Sequence, residues 1–231
     1  MYLTAYGIRE WLGAGAIALA LSAAWVWLAL KGEQHLGYGL LVVTWLAWLA
    51  VAAFFRVPKR VIVADDNAIT SPADGVVSAI ETTTDHGIEH FDGRPLLRIS
   101  IFLSVLDVHV NRAPCAFDVE YRHYRKGRFL DARDSRCAKE NEAMTLAGTG
   151  HAGGMSFPVA VRQMSGAIAR RIVCKPQVGD SLDKGEIYGM IKFGSRTDLY
   201  LDSIDIIKVT VSVGDKARAG TTQIGRIADE I

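Results

Sequence analysis

The chain has 231 residues, half of them hydrophobic, with 26 Lys and Arg against 25 Asp and Glu and a formal charge of +1. That length suits one or two domains, and the near-neutral charge excludes a general nucleic-acid binder, which needs a strong basic excess. Cys115, Cys137 and Cys174 show no CxxC spacing, so neither a disulfide framework nor a zinc site is supported, and no metal is expected.

The apolar residues are unevenly spread. Trp11–Leu30 and Leu36–Phe55 each run for 20 residues without a charged side chain, separated by Lys31-Gly-Glu-Gln-His35. Twenty helical residues rise about 30 Å, one hydrocarbon thickness, so the pair reads as a transmembrane helical hairpin. A cleaved signal peptide has a shorter apolar region and no second span close behind it. The Gly13-Ala-Gly-Ala16 and Ser22-Ala-Ala24 clusters suit close helix contact in lipid. Trp25, Trp27, Trp45 and Trp48 lie inside the runs rather than at their ends. Arg9 before the first span and Arg56, Lys59 and Arg60 after the second outweigh Lys31 in the connector, which predicts cytoplasmic termini. The expected organisation is a membrane hairpin over 1–56 and a cytoplasmic domain over 57–231.

The second part is strand-like. Val61–Val63, Gly75–Ile80, Leu96–Val105, Phe117–Tyr121, Ala167–Cys174, Gly185–Phe193 and Ile204–Val213 are short runs rich in β-branched residues, most of them bounded by Gly, Pro, Asp or Asn. One helix is expected over Ala132–Met144, capped by Asp131 or Asp134. Val178-Gly-Asp-Ser-Leu-Asp-Lys-Gly-Glu-Ile-Tyr-Gly189 echoes Val213-Gly-Asp-Lys-Ala-Arg-Ala-Gly-Thr-Thr-Gln-Ile-Gly225. In each, Val-Gly-Asp reads as a turn in which Gly takes positive φ and Asp bonds nearby amides. The repeat resembles the hairpins of biotinyl/lipoyl-like domains. The expected fold is therefore mainly β, a β-sandwich or barrel-sandwich hybrid with some α, after an N-terminal helical hairpin.

Three motifs carry chemistry. Ser71-Pro-Ala-Asp-Gly75 is a turn that can present the carboxylate of Asp74. In Phe102–Pro114, strand alternation would place Asp107, His109 and Asn111 on one face. Gly194-Ser195 interrupts two apolar runs near the C-terminus; glycine there lets the backbone bend, and the serine hydroxyl lies beside the preceding carbonyl. Asp, His and Ser together suggest a carboxylate that orients an imidazole, which takes a proton from a hydroxyl. A membrane serine hydrolase would use the same set, yet Ser195 lacks the Gly-x-Ser-x-Gly elbow. Attack on the carbonyl of Gly194 fits the local sequence better. A catalytically inert lipoyl-like adaptor is the other alternative, although Lys184 and Lys192 lack the context of a modified carrier lysine. Arg122-His-Tyr-Arg-Lys-Gly-Arg128 is the strongest basic cluster of this part. Its Arg122, Arg125, Lys126 and Arg128 read either as a solvated loop or, with Arg112, as an attractor of anionic headgroups.

The chain resembles the short-form phosphatidylserine decarboxylases, pyruvoyl-dependent membrane enzymes. The resemblance rests on Ser71–Gly75, on Phe102–Pro114, and on Gly127-Arg-Phe-Leu-Asp-Ala132 leading to Glu140-Asn-Glu142. Gly166–Ile172 and Phe193-Gly-Ser-Arg-Thr-Asp-Leu199 complete it. It implies a proenzyme that cuts itself between Gly194 and Ser195, leaving a β chain of 1–194 and an α chain of 195–231 headed by a pyruvoyl group made from Ser195. It also implies His109 as general base and proton donor, with Asp74 or Asp107 orienting it. The implied substrate is an anionic aminophospholipid, phosphatidylserine or an archaeal counterpart, taken from the membrane, and a homodimer is open. Longer members carry a second His where this chain has Arg112, so His109 is expected to serve both self-cleavage and decarboxylation.

Overall fold

A computed structural model describes residues 1–132, 134, 136–167, 171–192, 195–202 and 206–228, divided into two compact units, 1–59 and 60–231. In the first unit, α1 (Ile8–Leu30) and α2 (Gln34–Phe54) are both long and apolar enough to cross a membrane. The interior tryptophans join them. Trp25 Nε1 donates to Thr44 Oγ1 at 3.0 Å, Trp45 Nε1 to Ser22 Oγ at 3.1 Å, and Trp48 Nε1 to the Trp11 carbonyl at 3.1 Å. Indole N–H groups far from water need such partners. Of the small residues, Gly15 lies against Trp48, and a Cβ at Gly37 would fall 2.6 Å from the Trp25 carbonyl, whereas Gly13 faces open space. Strands β1 (Tyr2–Leu3) and β2 (Arg56–Val57) pair and close the base of the hairpin.

The regular structure of the second unit is almost entirely antiparallel sheet. In chain order its strands are β3 (Ala68–Thr70), β4 (Gly75–Thr83), β5 (Leu96–Leu103), β6 (Val110–Arg112) and β7 (Ala116–Arg125). After the short helix α3 (Cys137–Glu140) come β8 (Ala143–Ala152), β9 (Met155–Ser165), β10 (Arg171–Cys174), β11 (Ser181–Leu182) and β12 (Ile187–Lys192). The chain ends with β13 (Ser195–Asp202), β14 (Ile207–Val209), β15 (Lys216–Ala217) and β16 (Gln223–Ile227). An eight-stranded sheet runs β11-β7-β8-β9-β13-β5-β4-β15, and two three-stranded sheets run β10-β12-β6 and β14-β16-β3. The main core joins one face of the large sheet (Val77, Ile99, Val119, Leu146, Val161, Leu199) to the small ones (Ile69, Ala113, Tyr188, Ile224). This mainly β, layered arrangement is the expected class.

The echo of Val-Gly-Asp marks a duplication of the whole unit. Gly179 and Gly214 have φ of 97° and 100°, and Asp180 and Asp215 accept from Gln177 N and Ser212 N, each at 2.8 Å. Gly179 N reaches Val119 O as Gly214 N reaches Val77 O, and Thr70 N–Pro114 O is mirrored by Arg112 N–Pro72 O. β4 and β7 carry the same bulge, after Val77 and after Val119. One copy is continuous, β6 through β12. The other begins with β3, β4 and β5 and is completed by β13 to β16. The continuous copy is thus inserted where the other would turn from β5 into β13.

Several expectations need correction. Val61–Val63 is not a strand, and the second motif is broken by a turn at 105–107, so only 102–103, at the end of β5, and 110–112 of it are strand. Leu96–Leu103 ends two residues before the expected limit. The helix predicted over 132–144 shrinks to Cys137–Glu140, because Ala143 and Met144 open β8 as partners of Met164 and Gln163.

Candidate active site

The site forms at the two junctions of the insertion. Ser195, the first residue of β13, pairs with Leu103 at the end of β5 and with Ser165 at the end of β9. It is fully buried, and its Oγ has no hydrogen-bond partner among the described residues. A buried hydroxyl without a partner is destabilising by about 1–3 kcal/mol, and such an atom calls for a functional reason. Gly194 and Phe193 lie outside the described residues.

After Leu103 the chain turns. The Asp107 carboxylate accepts from Ser104 N at 2.8 Å and Ser104 Oγ at 2.7 Å, while the Asp107 carbonyl lies 3.0 Å from His109 Nδ1. A carbonyl only accepts, so Nδ1 carries the proton and Nε2 is the basic nitrogen. Asp107 therefore meets His109 through its main-chain carbonyl, not through the carboxylate whose orienting role the resemblance implies, and the turn removes the alternation that would put the two side chains on one strand face. His109 is itself buried, and its carbonyl accepts from Ile191 N at 3.1 Å, close to the segment that leads into Ser195.

Asp74 is placed differently from the orienting role expected of it. Its carboxylate takes Arg60 Nη1 and Nη2 at 2.7 and 2.5 Å and the Ala219 amide at 2.9 Å. It fixes the turn after Ser71, where a Cβ at Gly75 would meet the Phe102 carbonyl at 2.0 Å and Ala73 packs on Ile101 and Leu103. Both side chains of the pair are about one-tenth exposed, at 9% and 11%. Arg60→Met should thus lower the unfolding free energy by about 3–5 kcal/mol by stranding the carboxylate. A denaturant midpoint measured at fixed slope checks this.

Of the polar residues around Ser195, sequence reasoning singled out Asn111 and missed Thr197, Gln163 and Ser165. Asn111 Nδ2 donates to Thr197 Oγ1 at 3.0 Å and Asn111 Oδ1 accepts from Gln163 Nε2 at 2.8 Å, tying β6 to β13 and β9. Ser165 Oγ donates to the Glu142 carbonyl at 3.2 Å, and Asn141 Nδ2 holds the Ser165 carbonyl at 2.8 Å. Glu142 continues the row beyond Ser165; one carboxylate oxygen accepts from Tyr124 at 2.7 Å and the other is buried without a partner. The Glu140-Asn-Glu142 segment was the signal available for these residues. Cys115, close to His109 in sequence, is buried and its thiol is pushed up to about 12 by desolvation, so it stays protonated and is no nucleophile.

The basic cluster is divided. Strand alternation in β7 sends Arg122 and Arg125 to opposite faces of the large sheet. Arg125 reaches the Ala138 and Asn141 carbonyls, while Lys126 and Arg128 are exposed and Arg128 pairs with Glu140 at 3.2 Å. Arg112 donates to the Gly185 carbonyl at 2.7 Å and serves the duplicated hairpins.

The sequence model of the family described as phosphatidylserine decarboxylase matches residues 49–225. A phosphatidylserine decarboxylase proenzyme of Geotalea uraniireducens is 42% identical over 200 residues, covering 82% of this chain and 90% of the relative. Another from Carboxydothermus hydrogenoformans is 45% identical over 192 residues, 82% and 84% of the two chains. One from Symbiobacterium thermophilum is 42% identical over 218 residues, 94% and 93%. The chain belongs to the phosphatidylserine decarboxylase family and is a decarboxylase.

Proposed function

We propose that this protein converts phosphatidylserine to phosphatidylethanolamine at a membrane, after cutting itself between Gly194 and Ser195. The observation that carries the reading is the buried, unpartnered hydroxyl of Ser195 at the junction where the interrupted copy resumes. Such a hydroxyl is desolvated and unspent, which suits attack on its own preceding carbonyl. Ser195 Oγ adds to the Gly194 carbonyl as His109 Nε2 takes its proton, and the C–N bond breaks to give an ester. Loss of the Ser195 α-proton then expels the Gly194 carboxylate, and water replaces the nitrogen as ammonia, leaving a ketone on residue 195.

The donor set around Ser195 fits a pyruvoyl group: the residue is enclosed, heads its own strand, and has neutral neighbours in Ser165, Thr197 and Asn111. When present, that group supplies the electron sink that carboxyl loss from an α-amino acid requires. His109, held by the Asp107 carbonyl, delivers the proton to the substrate carbon. Ser104 and Asp107 keep that turn in place. The hairpin 1–56 would hold the domain beside its lipid pool. Arg9, Arg56 and Lys59 favour a cytoplasmic domain even with Arg60 engaged by Asp74.

Intact-mass measurement of the purified protein tests this. Two pieces are expected, the smaller covering 195–231, 37 residues, with a blocked N-terminus. They should co-purify without denaturant, because β13 lies between β5 and β9 along its length. A single unbroken chain that still releases CO₂ would refute the proposal.

A further inference from the structure

Strand β13 alternates. Ser195 and Thr197 face the core side of the large sheet, while Arg196, Asp198 and Tyr200 face the opposite side. On that opposite side lies a cavity of about 420 Å³ whose lining includes Arg98, Arg125, Arg162 and Lys139 with Glu81 and Asp85. It is separate from the Ser195 hydroxyl.

The charges there do not balance. Arg98 pairs with Glu81, and Lys139 pairs with Asp85 in an exposed contact. Arg162 is 4% exposed and donates only to neutral oxygens: Thr145 Oγ1 at 3.0 Å, Tyr200 OH at 3.1 Å and the Gly87 carbonyl at 3.4 Å. The Tyr200 hydroxyl leans on Asp198 at 3.3 Å, but that carboxylate is already engaged by Arg196 at 2.7 Å. Arg125 likewise donates only to carbonyls, at 2.8–3.2 Å. Its guanidinium is pulled below its ordinary range, first by burial and then by the charge of Arg162. Arg98 adds a buried Nε without a partner. Two guanidiniums that face one cavity with no carboxylate bonded to either are unfavourable in a low-dielectric setting. The missing element is an anion.

We propose that this cavity is a second ligand site, which binds a phosphate-bearing anion through Arg125 and Arg162, with Arg98 and Lys139 at its rim. Planar guanidinium forks match phosphate oxygens in bidentate fashion, and the volume admits a phosphate ester with a small substituent. The source is either a phospholipid headgroup or a soluble phosphate.

The test is calorimetric titration of the full-length protein in neutral detergent, with inorganic phosphate in one arm and short-chain phosphatidylglycerol below its micelle concentration in the other. Saturable binding is expected in at least one arm, weaker by about tenfold or more in Arg125→Met and Arg162→Met. Glu81→Gln, which removes a competing carboxylate, should tighten it. Stronger binding of the lipid arm assigns a headgroup; binding of phosphate alone assigns a soluble ligand. Arg125 and Glu81 are less enclosed than Arg162, so those variants decide the matter even if Arg162→Met fails to fold. No saturable heat in either arm, or equal affinity in wild type, Arg125→Met and Glu81→Gln, overturns the proposal.

Discussion

Ser195→Ala is expected to yield one unbroken chain and no CO₂ release from phosphatidylserine vesicles above the assay floor, a loss on the order of 10⁶-fold if the nucleophile is indispensable. The protein should nonetheless be as stable as its parent, or slightly more so. The hydroxyl removed has no hydrogen-bond partner and is fully buried, so its deletion relieves an unmet desolvation penalty and breaks no bond. The ladder of β13 to β5 and β9 uses main-chain groups and survives. Inactivity with an unchanged melting temperature would therefore report chemistry, not unfolding. Electrophoresis under denaturing conditions, a melting curve and a CO₂ assay on one preparation suffice. A variant that is still cut into two pieces, or one that is intact and active, would remove the basis for assigning the site to residue 195.

The sequence announced some of this site and concealed the rest for physical reasons. A hairpin of two apolar runs is visible because helices long and apolar enough to cross a membrane carry apolar residues all round. The Val-Gly-Asp echo is visible because positive φ and a side-chain-capped turn restrict residue choice. The remainder of the duplication is hidden. Its strands share burial rather than identity, and insertion of one copy into the other breaks any linear period. β8 and β13 were hard to recognise because every residue of β13 and nearly all of β8 is buried, so neither strand alternates polar with apolar. In β13 the charges of Arg196 and Asp198 neutralise each other inside the protein at 2.7 Å, a pairing that composition cannot reveal. Asp74 shows the limit most clearly. Its motif was legible, but its partner is Arg60, a residue that the flanking-charge pattern had assigned to membrane orientation. Glu142 was noticed only as part of a motif; its place in the row of Ser195 and Ser165 depends on the registers of β8 with β9 and of β9 with β13.

His109 and Asp107 separate two ways of building a general base. In a carboxylate–imidazole–hydroxyl triad, loss of the carboxylate reduces turnover by roughly 10⁴-fold. Here the Asp107 carbonyl meets His109 Nδ1, while the carboxylate is spent on Ser104. Asp107→Ala keeps the carbonyl and should lower turnover by less than about tenfold, through a looser turn alone. His109→Gln keeps the main-chain bond to Ile191 but has no titratable nitrogen, so it should lose about 10²–10⁴-fold, the usual span for general acid–base catalysis. The resemblance implies Arg112 in place of a second histidine, so His109→Gln is expected to slow both self-cleavage and decarboxylation. Counting the cleaved fraction over time, and dividing CO₂ release by that fraction, resolves the two steps. A 10⁴-fold loss in Asp107→Ala would restore the carboxylate to the orienting role. Wild-type rates for both steps in His109→Gln would transfer proton handling to another group, and the unpartnered Glu142 oxygen beyond Ser165 would be the next candidate.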